Sequence, residues 1–129
     1  LSPLPKLTSL PNYFLQGCYG IEYLDLSPLT EVQSIGTEVL WWCSGLKVLN
    51  MSNMLELTNI GSWFLECCYG LQVIILPNKD ATSISVNDNG FLDGVPTSCM
   101  LYSTKEFVDS YRSKDPWRGR LAYIDVLPE

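Results

Sequence analysis

Apolar residues recur along this chain at a constant spacing. The segment 17–26 is followed by segments of the same layout at 42–51 and 67–76. Cysteine recurs at positions 18, 43 and 68, and glycine recurs at positions 20, 45 and 70. A fixed period of about 20 to 29 residues is typical of leucine-rich repeats, which stack to bury a continuous core. The pattern therefore predicts a repeat protein in which residues 1–26 form the first coil.

Each repeat ends in a Leu-x-x-Leu-x-Leu pattern that predicts a short strand. Side chains alternate between the two faces of a strand, so Leu24 and Leu26 are expected to point into the core while Tyr23 and Asp25 point outwards. The strands of successive repeats should then form a parallel sheet. The segment 11–17 and its equivalents predict short helical turns on the opposite face. The turn is expected to end at Gly20, Gly45 and Gly70, where a positive φ costs glycine little.

The fourth repeat departs from the pattern. The turn-forming residues Asn87 to Gly90 look like a small insertion. We match the positions of this repeat to the third as follows: Ile84 with Ile60, Phe91 with Phe64, and Cys99 with Val73. This alignment places Cys99 and Leu101 on the outer face of the sheet.

The sequence from Ser103 onwards no longer follows the repeat. Ser103 and Glu106 are spaced as a capping box at the start of a helix, and Asp115-Pro116 is expected to end that helix. Repeat arrays need a terminal cap, because the last repeat otherwise exposes its core. We therefore expect one domain over 1–129, with about four coils of ~25 residues in 1–102 and a C-terminal helix and cap in 103–129. The predicted fold is an α/β right-handed leucine-rich repeat solenoid.

Composition narrows the classes of function. Hydrophobic residues make up 47% of the 129 residues, which argues against disorder. The net charge of −6 argues against nucleic-acid binding, which needs a basic face. No apolar run is long enough to cross a membrane, and no signal peptide is visible. Histidine, the commonest general base, is absent. We expect no enzymatic activity, no cofactor and no metal.

The cysteine column at Cys18, Cys43 and Cys68 has a structural interpretation and a chemical one. Parallel Cα–Cβ vectors suit disulfide geometry poorly, and the spacing matches no common zinc motif. We therefore interpret these thiols, together with Gly20, Gly45 and Gly70, as structural residues of a narrow, buried turn.

The loop 87–93 is the one segment of the sequence that suggests calcium. In an EF-hand frame, its first and last ligand positions would be Ser85 and Pro96, which do not suit that role. An ordinary turn is the preferred interpretation, and calcium binding at this loop stays open.

The segment 57–77 resembles the BspA-like class of leucine-rich repeats. It begins with Ile60-Gly61, continues through the aromatic residue Phe64 and the cysteine Cys68, and ends in a short strand followed by Pro77. The class implies a bacterial surface or secreted protein, with adhesion to other proteins as a known role. The resemblance therefore implies an extracellular or cell-surface location, and further repeats or another domain before Leu1 are possible.

The outward positions of the predicted strands are the candidate binding surface. They become more apolar towards the C-terminal end, and a contiguous exposed apolar patch usually marks a contact surface. The expected binding residues are Tyr23, Asp25, Val48, Asn50, Val73 and Ile75. The leading hypothesis is a non-enzymatic scaffold that binds a protein or peptide. The alternative is a structural spacer or assembly module with no ligand of its own.

Overall fold

The computed structural model describes residues 7–128 and contains two parallel sheets with few helical segments. The strands are β1 (Ser9–Leu10), β2 (Tyr23–Asp25), β3 (Ser34–Ile35), β4 (Val48–Asn50), β5 (Asn59–Ile60), β6 (Val73–Ile75), β7 (Ser85–Val86), β8 (Met100–Ser103) and β9 (Ile124–Val126). The first sheet has the order β1-β3-β5-β7, and the second has the order β2-β4-β6-β8-β9. An α-helix, α1, covers Val108–Ser113, and 3-10 helices cover Ala81–Ser83 and Trp117–Tyr123. The structure thus confirms an α/β fold with parallel strands.

Successive repeats are neighbours in both sheets. In the second sheet Tyr23 pairs with Val48, and Val48 pairs with Val73, so each step along the sheet is one repeat. The inward side chains between these strands are fully buried: Leu49 is 0% exposed and Ile74 is 1% exposed. The first sheet, formed by strands of two residues each, was not predicted. Its inward residues Ile35 and Ile60 extend the same core.

The helical turn predicted for 11–17 and its equivalents is wrong. In this segment every second residue has a positive φ: Tyr13 at 66°, Leu15 at 54° and Gly17 at 71°. The amide of Phe14 donates to the carbonyl oxygen of Pro11 at 3.2 Å, which closes a β-turn. A positive φ at the third position alone is the signature of a type II turn. The segment is therefore a run of overlapping turns, in which left-handed residues alternate with ordinary ones.

Backbone hydrogen bonds to the next repeat hold these turns in place. The amides of Tyr13 and Gly17 donate to Thr37 and Trp41, at 2.8 Å and 2.7 Å, and the amide of Leu40 donates back to Phe14 at 2.9 Å. The same three bonds recur at the next two steps. Written from amide donor to carbonyl acceptor, they are Glu38 to Ser62, Trp42 to Glu66 and Leu65 to Val39 at the first of these steps. At the second they are Trp63 to Asn89, Cys67 to Asp93 and Leu92 to Phe64. A left-handed non-glycine residue costs about 1 kcal/mol or more. These bonds offset that cost by satisfying backbone groups that an isolated turn would leave to water.

The repeated glycines have a different role from the one predicted. Positive φ values among glycines occur at Gly17, Gly90 and Gly94, not at the expected turn ends. A Cβ atom on Gly70 would lie 2.8 Å from the carbonyl oxygen of Ser44 in the preceding repeat, and a Cβ on Gly45 would overlap the carbonyl oxygen of Tyr19. Gly20 has open space at this position. Glycine is therefore needed where one repeat meets the backbone of the repeat before it.

The alignment of the fourth repeat needs a correction of one position in β8 and two in β7. Ile60 pairs with Val86 rather than Ile84, and Val73 pairs with Met100 rather than Cys99. The number of residues that separates a position in the third repeat from its partner in the fourth is greater by one at β8 than at β7. The cause is one extra residue in the loop between β7 and β8. A slip of one residue exchanges the two faces of a strand. Cys99 and Leu101 are consequently buried at 0% exposure, and Met100 and Tyr102 take the outward positions.

The segment after β8 packs against the fourth repeat. Tyr111 and Trp117 are buried, their rings meet edge to face at a centroid distance of 5.2 Å, and Trp117 contacts Phe91 in the same way at 5.0 Å. Strand β9 pairs in parallel with β8 and so continues the second sheet. These contacts place residues of the C-terminal segment against the fourth repeat.

The predicted capping box is wrong. Helix α1 starts at Val108 and no side chain caps its first turn. Ser103 instead belongs to β8, where its hydroxyl is buried and, among the described residues, has no hydrogen-bond partner. The pairing of β8 with β9 through Ser103 and Val126 outweighs the local capping pattern.

A glycine substitution tests the contact between repeats. Gly45→Ala should lower the free energy of unfolding by about 2 kcal/mol, because its methyl group would overlap the backbone of Tyr19 and force the repeats apart. Gly20→Ala, the matched change with open space, should have an effect below about 0.5 kcal/mol. Urea denaturation of both variants measures the difference. Equal effects would show that the glycines do not serve close packing.

A second pair of variants tests the left-handed turn positions. Tyr13 is 53% exposed, so substitutions there change little packing. Tyr13→Val should destabilise the fold by about 1 kcal/mol more than Tyr13→Gly, because a β-branched residue resists a positive φ. Gln16 is an exposed neighbour without a positive φ, so there Gln16→Gly should destabilise the fold more than Gln16→Val. Thermal melts of the four variants give the comparison, and the same order at both sites would contradict the assignment.

Candidate interaction surface

The predicted binding residues lie together on the outward face of the second sheet. Tyr23, Val48 and Val73 occupy one row across β2, β4 and β6, and Asp25, Asn50 and Ile75 occupy the next row. Tyr23 and Asp25 are exposed, and the other four residues are half-buried. Each half-buried side chain lies between neighbours on both sides, which leaves its outer part in contact with solvent. We call these two rows and their continuation the outer sheet face.

The outer sheet face continues further than the sequence predicted. Met100 follows Val73 in the first row, and Tyr102 follows Ile75 in the second. Asp125 then pairs with Tyr102, and Tyr123 precedes β9 with 39% exposure. A correct alignment of the fourth repeat would have identified Met100 and Tyr102 from the sequence. Strand β9 lies beside β8 in the same sheet, so the C-terminal segment adds width to this surface.

Polar groups are fixed at the strand ends of this surface. Asp25 Oδ1 accepts a hydrogen bond from the amide of Ser27 at 2.8 Å, and Asn50 Oδ1 accepts from the amide of Ser52 at 2.9 Å. Hydrogen bonds from the Ser27 side chain and backbone lower the pKa of Asp25, so it is ionised at neutral pH. The surface therefore combines tyrosine and aliphatic side chains with two carboxylates, of Asp25 and Asp125, and the Asn50 amide, each of which accepts a hydrogen bond from a backbone amide.

Two members of the cysteine column, Cys43 and Cys68, lie in the core, and each thiol makes one hydrogen bond to the preceding repeat. Cys43 Sγ donates to the carbonyl oxygen of Leu15 at 3.1 Å, and Cys68 Sγ donates to that of Leu40 at 3.1 Å. Both thiols thus satisfy the carbonyl of a left-handed leucine in the preceding repeat. Cys18 is half-buried, so its predicted burial is only partial. All five cysteines are free.

Burial also sets the ionisation of these thiols. It raises the pKa of Cys68 to about 12 and that of Cys99 to about 11, and it raises the pKa of Cys43. A thiol in this state is protonated at neutral pH and is a poor nucleophile or metal ligand. The geometry supports a structural role for Cys43 and Cys68.

The loop 87–93 forms turns. Asn87 Oδ1 accepts from the amide of Asn89 at 3.0 Å, and Gly90 has a φ of 70° where any side chain would overlap Trp63. Within residues 7–128 no group of three or more acidic, cysteine or histidine side chains is placed to hold a metal ion.

A second group of exposed aromatic residues was missed by the sequence analysis. Tyr19 and Tyr69 are 62% and 56% exposed, and Trp42 meets Tyr69 edge to face at a centroid distance of 6.5 Å. These residues lie outside both sheets, in the turn segments. Tyr19 and Tyr69 each follow a cysteine of the repeated column directly, and this shared position is the signal that would have found them.

The raised pKa of Cys68 predicts a pH dependence of stability. The unfolded thiol ionises near its ordinary pKa of about 8.5, whereas the folded thiol stays protonated up to about 12. The stabilisation is therefore complete below about pH 8.5 and is lost as the pH rises towards 12. Between about pH 7 and pH 10.5, the parent should lose about 3 kcal/mol more stability in urea denaturation than Cys68→Ala, which lacks this thiol. Cys67→Ala is the control, and a pH response of Cys68→Ala equal to that of the parent would contradict the burial of this thiol.

Comparison of the chain with family models, curated proteins and solved structures found no match. None of the helices in residues 7–128 is long and apolar enough to cross a membrane.

Proposed function

We propose that this protein is a non-enzymatic scaffold that binds a protein or peptide partner on its outer sheet face. The observation that supports this most directly is the row Tyr23, Val48, Val73 and Met100, which is continuous across four strands. Apolar and aromatic side chains that adjoin one another on an open sheet face are typical of contact surfaces. Tyrosine is also a frequent anchor of interfaces.

The proposal includes the architecture. Two parallel sheets with neighbouring repeats in register support a right-handed leucine-rich repeat solenoid, with the outer sheet face as its concave side. Concave faces of such arrays are common binding surfaces, because their strands form a rigid platform that loses little conformational entropy on binding. On the resemblance to BspA-like repeats, we place the protein at the cell surface or outside the cell, in adhesion or a related interaction.

Charge substitutions on the outer sheet face test this function. Val48→Glu and Val73→Glu should weaken a partner by about tenfold or more, because each places an uncompensated carboxylate in an apolar contact. Stability should change little, since both side chains point away from the core. Peptides selected from a phage-displayed random library on the parent protein serve as the probe. Their affinities for the variants are then measured by biolayer interferometry.

Tyr19→Glu is the matched control, because it makes the same kind of change at an exposed residue outside both sheets. Normal binding by the two valine variants, with loss of binding in Tyr19→Glu, would move the site to the exposed aromatic group. A library that yields no binders to the outer sheet face would favour the alternative, a spacer that holds other domains and has no ligand of its own.

A further inference from the structure

The two ends of the row of repeats differ in how well the core is covered. At the C-terminal end, Tyr111, Trp117 and Ile124 close the core with exposures of at most 2%. At the other end, β1 and β2 are terminal strands of their sheets. Two core side chains of the first repeat, Leu10 and Leu26, are buried at 1% and 4% exposure. The other five are only half-buried, namely Phe14, Leu15, Cys18, Ile21 and Leu24.

The same positions are closed in the later repeats. Leu24 is half-buried, whereas its equivalents Leu49 and Ile74 are 0% and 1% exposed. Cys18 is half-buried, whereas Cys43 and Cys68 are 1% and 0% exposed. The residue types match, so the difference comes from the repeat that precedes each of the later positions. We call this half-covered end of the core the first-repeat end face.

Polar groups on the first-repeat end face lack the partners that their equivalents have. The amide of Leu40 donates to Phe14 in the preceding repeat, and the Cys43 thiol donates to Leu15. The corresponding groups of the first repeat are the Leu15 amide and the Cys18 thiol, and neither has a hydrogen-bond partner among residues 7–128. Both groups are donors, and the acceptors of their equivalents in the later repeats are backbone carbonyl oxygens of the preceding repeat.

The surroundings of the repeated glycines also distinguish the first repeat from the later ones. Gly45 and Gly70 each lie against a carbonyl oxygen of the repeat before them, whereas no atom of residues 7–128 lies within 4 Å of the Cβ position of Gly20. The first repeat therefore has the glycine that close approach requires, without the backbone that would approach it.

We propose that the first-repeat end face is a docking surface for one further unit of the same repeat design. This occupant would present two carbonyl oxygens to Leu15 and Cys18, an apolar core to Phe14 and Leu24, and a backbone segment over Gly20. A second copy of the chain would fit poorly on the first-repeat end face, for two reasons. Its C-terminal end is closed by the segment around Trp117, and two first-repeat end faces would oppose donors to donors.

An extended form of the full chain tests the proposal. A copy of residues 27–51 is joined directly before Ser2, which keeps the phase of the repeat because Ser2 corresponds to Ser27. Alkylation of Cys18 by iodoacetamide, measured by peptide mass spectrometry with Cys67 as the internal reference, should slow by roughly tenfold or more when the docked unit covers the thiol. An extension of scrambled sequence should leave the rate unchanged.

Gly20→Ala provides a second readout that does not depend on thiol chemistry. It should have little effect on the melting temperature of the chain as it is, and it should clearly lower that of the extended chain, where the new backbone would lie over Gly20. Gly119→Ala, which also has open space at its Cβ, should be silent in both forms. An unchanged Cys18 rate with a silent Gly20→Ala in the extended chain would overturn the proposal. Concentration-dependent protection of Cys18 in the unextended chain, with dimers in sedimentation, would overturn it in favour of a second copy.

Discussion

The structure depends on backbone hydrogen bonds between one repeat and the next. Overlapping turns with a positive φ at every second residue leave amides and carbonyls that the segment itself cannot pair. The neighbouring repeat supplies those partners at every step, as Leu40 does for Phe14 and the Cys43 thiol does for Leu15. A single repeat of this kind would bear the cost of its left-handed residues without the bonds that offset it. Close approach is therefore a condition of the fold, and glycine at 45 and 70 follows from it.

Much of the second sheet could be predicted from the sequence, and the turns could not. The Leu-x-x-Leu-x-Leu pattern contains the alternation of a strand, so the outward rows through Val48 and Val73 were correctly placed as far as β6. The turn segments contain apolar residues at spacings that also fit a helix, and the hydrogen bonds that decide between the two run to another repeat. Because these bonds join residues that are far apart in sequence, a local sequence pattern does not reveal them. The capping box at Ser103 failed for the same reason, because strand pairing with β9 is also non-local.

The fourth repeat shows how one residue can change a surface. Matching Cys99 with Val73 kept an apolar residue in every position, so hydrophobicity alone could not reject it. The observed pairing of Val73 with Met100 buries Cys99 and turns Met100 and Tyr102 outwards. The proposed interaction surface gains a flexible thioether and a tyrosine from this shift, two residue types that adapt well to a partner.

The uneven covering of the two ends has a consequence for local stability. Opening of a linear array starts where a unit has fewest neighbours and spreads from there. The C-terminal end is held by Trp117 in its aromatic contacts and by the Arg120 guanidinium, which donates to the carbonyls of Leu92, Val95 and Pro96. Residues 13–24 therefore belong to the part of the structure with the lowest local stability, and local stability rises towards β6 and β8. The chain has a built-in direction of unfolding, which its nearly uniform repeats conceal.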